Sequence, residues 1–298
     1  MRFSTLLPVM AAAVTACHKT TEYFDGYKYI LSGPKNPAPK AEYEMAAAQT
    51  AITLLTERLG ANALLDLVQP EFADPHDDLL KALPLIKERI GADGLIDLLQ
   101  PAIAEADAYW HDVLDKSGSG WVDASGRGVL FLPNMTAQLF AGWSQSPLAD
   151  EANNAGNPEH YLKRTREIAP GVLRSEILEG WGGVTTHFTV EDYGMPPNRQ
   201  KWPFLNTLPD FPIQAAGGKT LLDGTLFGVL HISVRDVPGE EFGEEQDGIE
   251  IYASVWYGDG VDDDHLEDER THIITEIVNL SLQAQRDVES GRFPPSGN

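Results

Sequence analysis

The chain has 298 residues and 42% hydrophobic content, enough to bury one large core or two modest ones. Its formal net charge is −23, with 45 acidic residues against 22 Lys and Arg, which argues against nucleic acid and anionic membrane surfaces as partners because both need a basic footprint. Cys17 is the only cysteine, which excludes an intramolecular disulfide and a cysteine-based zinc cluster.

Residues 1–16 carry an early Arg, a short apolar core and small residues ahead of a cut after Ala16. That is the pattern of an export signal peptide and predicts a secreted protein. Val14-Thr15-Ala16-Cys17 also resembles a bacterial lipobox, in which Cys17 carries lipid; this is the alternative. No later stretch reaches about 20 apolar residues, so no transmembrane segment is expected. Asn134-Met135-Thr136 and Asn279-Leu280-Ser281 are glycosylation sequons, relevant in a eukaryotic secretory route. Residues 17–42 are polar, include GPKNPAPK, and read as an extended leader.

Residues 43–143 form a helical region with an internal repeat. ERLGANALLDLVQP at 57–70 matches ERIGADGLIDLLQP at 88–101 in nine of fourteen positions. Gly60 and Gly91 can end one helix, Asn62 and Asp93 can cap the next, and Gln-Pro can stop it. Two copies predict a helical packing layer, with a partner-binding surface as the sharper reading. Helix continues over 102–114. The segment 115–126, DKSGSGWVDASG, resembles an EF-hand calcium loop, with Asp115, Ser117, Ser119 and Asp123 at ligand positions. Gly126 stands where a bidentate Glu is required, so a Gly/Ser-rich turn is the better reading. A short strand is expected at 129–132 and a helix at 135–143. The Asn/Ser/Pro-rich stretch 144–158 reads as a loop and domain boundary.

Residues 159–298 read as an antiparallel sheet plus C-terminal helix domain. A helix is expected at 161–168. Gly182-Gly183 joins strands 173–181 and 184–192 in a primed turn. This register faces Ile177 with Phe188, Trp181 with Val184, Arg174 with Glu191 and Leu178 with His187. Residues 194–220 form a long Pro-rich connection, either a lid or a strap whose aromatics plug the core edge. Residues 225–234 and 249–257 alternate as strands. In the second, Ile249, Ile251, Ala253, Val255 and Tyr257 share one face. Asp264 and Glu267 then fit a capping box, and Leu266, Ile273, Ile274, Ile277, Val278, Leu282 and Val288 form a helical apolar stripe.

The expected fold is therefore α+β: an N-terminal helical layer with a duplicated segment, then an antiparallel sheet covered by a long C-terminal helix. Such an arrangement suits a binding module for a small apolar ligand held between sheet and helix, with Trp181, Phe188, Trp202, Phe204, Phe211 and Tyr257 as walls. One alternative is a secreted isomerase, lyase or hydrolase using His187 and His231 with Glu191 or Glu250 as acid–base residues. Another is an extracellular protein-interaction module built on the repeat. Thirteen carboxylates with no Lys or Arg over residues 240–269 would suit loose calcium binding, but a solvated loop and helix start accounts for them. His265, Glu269, His272 and Glu276 follow helical spacing. Two histidines seven apart cannot share one ion without a second element, and HExxH is absent, so no metal site or other cofactor is assigned.

Overall fold

A computed structural model describes residues 18–33, 39–69, 71–72, 78–170 and 172–294. The expected signal peptide, Cys17 and the lipobox lie outside the described residues. The strands are β1 (His18–Phe24), β2 (Tyr27–Gly33), β3 (Trp121–Leu130), β4 (His160–Ala169), β5 (Val172–Trp181), β6 (Val184–Gly194), β7 (Ile213–Leu221), β8 (Leu226–Val237) and β9 (Gly248–Gly258). The helices are α1 (Lys40–Leu59), α2 (Ala61–Asp66), α3 (Leu79–Ile90), α4 (Ala92–Lys116), α5 (Ala137–Ser144), α6 (Pro147–Gly156) and α7 (Asp263–Glu289). The strands form one antiparallel sheet in the order β1-β2-β3-β9-β8-β7-β6-β5-β4. Among the described residues no helix is long and apolar enough to cross a membrane.

The alternation in β9 is used as expected. Ile249, Ile251, Ala253, Val255 and Tyr257 bury against Leu266, Ile273, Ile274, Ile277, Val278 and Leu282 of α7. Two glycines of β3 set how closely the helix approaches. A Cβ at Gly126 would lie 2.6 Å from Ile274, and one at Gly128 would lie 2.8 Å from Ile277. This corrects the calcium-loop resemblance: Gly126 is a packing glycine, and Trp121 to Gly126 belong to a strand. The cap of α7 is Asp262, whose side chain accepts from the His265 amide at 2.8 Å, two residues before the expected Asp264.

The hairpin β5–β6 also has the expected register, with Trp181 opposite Val184, Ile177 opposite Phe188 and Leu178 opposite His187. Its turn glycines carry φ of 55° and 76°, as a primed turn requires.

Four further stretches take a different secondary structure from the one expected. Residues 18–33 of the supposed leader form the β1–β2 hairpin, and Tyr29 and Leu31 enter the main core. The turn is Asp25-Gly26, a second primed-turn dipeptide. Residues 147–156, expected as loop, form α6, with Pro147 at its start and Ala149 and Ala152 buried. Residues 161–168, expected as helix, lie in β4; a register shift between His160 and Leu162 breaks the alternation that marks a strand. The connection expected to run to residue 220 ends at β7, whose Ala-Ala-Gly-Gly centre carries no hydrophobic pattern.

In the repeated segments Gly60 and Gly91 adopt nearly the same conformation, φ 84° and 75°, ψ 147° and 162°. The next helix starts at the following residue, so Asn62 and Asp93 are not caps. Pro101 does not stop α4; its ring is exposed, and Ile103, Ala106 and Trp110 beyond it are buried. Leu64, Val68, Leu95 and Leu99 form a second core cluster with Tyr161, Leu162 and Leu178. The helical layer therefore shares apolar packing with β4 and β5.

Candidate metal centre

The long terminal helix carries His272 and Glu276 one turn apart on its buried side. It crosses to the far part of the sheet, where Glu179 of β5 and His160 at the start of β4 meet it. Four side chains from three elements thus bring one ligand atom each into a group within 4.8 Å of one another.

The distances fit a single small ion. His160 Nε2 lies 3.2 Å from His272 Nε2, 3.3 Å from Glu276 Oε1 and 3.7 Å from Glu179 Oε2. His272 Nε2 lies 3.8 Å from Glu276 Oε2. Bonds of 2.0–2.2 Å to imidazole and carboxylate in a tetrahedron place ligand atoms about 3.4 Å apart. Both imidazoles are also held from behind. His160 Nδ1 lies 2.6 Å from the Asn153 carbonyl, which fixes the proton on Nδ1 and leaves Nε2 as a lone-pair donor. His272 Nδ1 lies 2.9 Å from the Tyr43 hydroxyl, which can accept its proton when Nε2 ligates, and 3.2 Å from Asn157 Nδ2, a donor that would have to give way in that tautomer.

The segment that delivers His160 is itself anchored. Lys87 of α3 is buried, and its Nζ reaches the carbonyls of Asn154, Asn157, Pro158 and His160 at 3.2, 3.4, 3.3 and 2.6 Å. Burial lowers this amine to about 7. Asn157 Oδ1 accepts from the Glu159 amide at 3.1 Å and tightens the turn before β4.

Electrostatically the centre is rich in carboxylates and poor in fixed cations. Lys219 of β7 is the cation beside Glu179, at 3.5 Å. Its Nζ lies 4.3 Å and 4.6 Å from the Trp181 and Phe188 ring centroids. Glu269 is buried, and its Oε2 has no hydrogen-bond partner. Burial raises Glu269 to about 7 and Glu159 to about 7. Burial, then the nearby Glu179 and Glu269, raise Glu276. Burial lowers His160 to about 4 and His272 well below the usual imidazole range. Neutral imidazole is the ligating form, and an ion would supply the charge that ionised Glu276 lacks.

The residues singled out in the sequence lie elsewhere. His187 Nε2 meets Glu176 at 3.1 Å, and His231 Nε2 meets Gln214 and Ser233 at 3.3 Å each. Glu191 pairs with Arg174 at 2.8 Å, and Glu250 with Arg235 at 2.6 Å. Among the described residues none of these four contacts another, so the expected acid–base set does not converge. The six aromatic wall residues divide into two groups. Trp181, Phe188 and Tyr257 join the main core, where Trp110 of α4 stacks on Tyr257 at 5.0 Å between centroids. Trp202 and Phe204 pack with Trp256 in a separate cluster, and Phe211 lies against Arg127 and Arg235. Of the two sequon residues, Asn134 sits at φ 59°. The Asn279 amide donates to Glu44 at 2.8 Å and to the Gly156 carbonyl at 2.5 Å.

Half of the centre was visible as His272 and Glu276 at helical spacing. The other half needed β4 to be recognised, because His160 reads as a helix start until it is placed on a strand. No protein-family model and no curated protein matches the chain. Among solved structures it is similar to ginseng major latex-like protein 151 from Panax ginseng, with 12% identity and a TM-score of 0.29, over 59% of this chain and 98% of the other. A likeness of that size carries no weight for fold or function, which rest on the geometry above.

Proposed function

We propose that this is a metalloprotein holding one divalent transition-metal ion through His160, Glu179, His272 and Glu276. The observation that carries the reading is the meeting of two Nε2 atoms and carboxylate oxygens at 3.2–3.8 Å, with His160 locked from behind by Asn153. A nitrogen and oxygen donor set suits zinc first, then manganese, iron or nickel, and disfavours calcium, which takes oxygen ligands. Four protein ligands fill a tetrahedral shell, so the ion acts as a clamp tying α7 to β4 and β5 rather than as an open catalytic site. Glu276 keeps 23% of its side chain exposed and gives the ion a way in.

Elemental analysis with native mass spectrometry of protein prepared without chelator tests this. About one ion per chain is expected. Less than about a tenth of an ion per chain, after incubation with zinc, manganese, iron(II) and nickel, would sink the reading. The denatured mass also tests the proposed export, which predicts loss of residues 1–16.

The apolar-ligand reading has less support. Trp110, fully buried, and the Lys219 ammonium occupy the space among Trp181, Phe188, Phe227 and Tyr257 that such a ligand would need. An interaction surface on the repeat is likewise weakened by burial of Leu64, Val68, Leu95 and Leu99.

A further inference from the structure

A separate cleft of about 550 Å³ lies between α1, α4 and the β5–β6 turn. Its size suits a small organic molecule. Three polar groups in its lining lack partners. Glu159 is 6% exposed, and its carboxylate makes no hydrogen bond or ion pair among the described residues. Arg58 of α1 forms no ion pair among the described residues, and its Nε is buried without a hydrogen bond. The Tyr109 hydroxyl is also buried without a partner.

Buried polar groups left unmatched cost free energy unless something meets them. Here an anion and a cation line one cleft and do not pair with each other. Their separation is built in. A Cβ at Gly180 would lie 2.9 Å from Glu159 Oε1, so the glycine provides the recess that the carboxylate occupies. The complement of two unpaired opposite charges is a ligand carrying both. Exposed Glu57 and Glu105 add two more carboxylates to the lining, against Arg58 as its one basic residue. A second positive charge on the ligand therefore has partners at the rim.

We propose that this cleft binds a free amino acid with a cationic side chain, its carboxylate on Arg58, its α-ammonium on Glu159 and its side-chain cation toward Glu57 and Glu105. The site is distinct from the metal centre and does not depend on the metal reading. Tyr109 supplies a hydroxyl and an aromatic wall.

Calorimetric titration of the full chain with L-lysine tests the proposal, with cadaverine as the matched diamine lacking a carboxylate. L-lysine is expected to bind about one per chain, and cadaverine about tenfold more weakly or worse. Glu159→Gln and Arg58→Met should each weaken L-lysine binding by about tenfold or more. Because Glu159 adjoins His160, metal content is measured on the same samples; lost lysine binding with metal content retained separates the two sites. Thr53→Trp, at an exposed position on the cleft wall, should abolish binding with an unchanged circular dichroism spectrum. No heat with millimolar L-lysine, equal affinity for cadaverine, or undiminished binding in Thr53→Trp would each overturn it.

Discussion

Two sets of His and Glu side chains, one on the sheet alone and one between the sheet and α7, solve the same electrostatic problem differently. Glu250 is met by Arg235 at 2.6 Å and Arg127 at 3.6 Å, and His231 by the neutral Gln214 and Ser233. Every charge there has a fixed partner, and the Phe211 ring covers the guanidiniums. Around His160, by contrast, Glu179, Glu269 and Glu276 outnumber the cations that reach them: Lys219 lies 3.5 Å from Glu179, and Lys163 acts to lower Glu276 without pairing with it, its own partner being Asp150 at 3.7 Å. The first set is closed by the chain itself. The second balances only by holding protons or by holding a cation. A patterned polar face is thus a poor guide to chemistry; a deficit of fixed counter-charge is a better one.

The sharpest way to break the comparison is to delete a ligand on each side. His272→Ala or Glu276→Gln should lower metal affinity by at least about 100-fold. The matching Glu250→Gln should leave metal content unchanged and destabilise by about 1–3 kcal/mol, because the buried carboxylate that meets Arg235 and Arg127 is lost. At about a thousandfold excess over Kd, the ion should stabilise the wild type by about 4 kcal/mol, and the His272→Ala protein by far less. Thermal melts with and without chelator read this difference. If both variants lose metal equally, the distinction between the two sets fails.

A smaller effect concerns pH. In the metal-free protein Glu159 and Glu269 titrate at about 7, against an ordinary 4.5, so the native state holds more protons than the unfolded chain between those values. Their stabilising contribution is complete below about 4.5 and is lost as pH rises through about 7. His160 and His265 titrate at about 4, against an ordinary 6.5, and act oppositely: their contribution is present above 6.5 and lost as pH falls through about 4. The two trends oppose each other between 4.5 and 6.5; the carboxylate loss runs on to about 7, and above 7 buried Lys87, lowered to about 7 from an ordinary 10.5, adds stability as pH rises. Metal-loaded protein should therefore gain stability relative to the apoprotein as pH rises from 6.5 to 8, because the ion competes with the Glu276 proton and binds more tightly as that proton leaves. Urea titrations at pH 6.5 and 8 compare the two forms; the same pH dependence in both would count against a cation at this centre.

The smallest expected effect is Tyr43→Phe, which removes the hydroxyl behind His272 Nδ1 while keeping the ring. Metal affinity should fall about tenfold with the fold intact. No change would mean that the Tyr43 hydroxyl is not the acceptor that sets the His272 tautomer.

Much of the architecture was legible because residue types alternate at period 2 or recur at period 3.6, even where, as in β9, both faces end up buried. β8, β9, the β5–β6 hairpin and α7 all show it. The strands that were missed had a physical reason to be silent. β4 buries the consecutive Tyr161 and Leu162 beside a register shift, β7 is centred on Ala and Gly, and β1–β2 is short and polar at its edge. The candidate centre inherited that silence. His272 and Glu276 stood at ligand spacing on a legible helix, but their partners sat on an unrecognised strand and on β5, where a Glu179 sharing the face of Ile177 and Trp181 was the unread signal. The filling of the sheet–helix space was hidden for another reason. Trp110 lies beyond Pro101 on α4, and nothing local announces that its ring reaches Tyr257.

The most direct test of the central claim is a crystal structure of zinc-loaded protein with anomalous data collected at the zinc edge. A single strong peak within about 2.0–2.2 Å of His160 Nε2, His272 Nε2 and oxygens of Glu179 and Glu276 is the predicted result. A well-ordered map with those four side chains in direct contact and no peak between them, or with zinc bound elsewhere on the acidic surface, would contradict it.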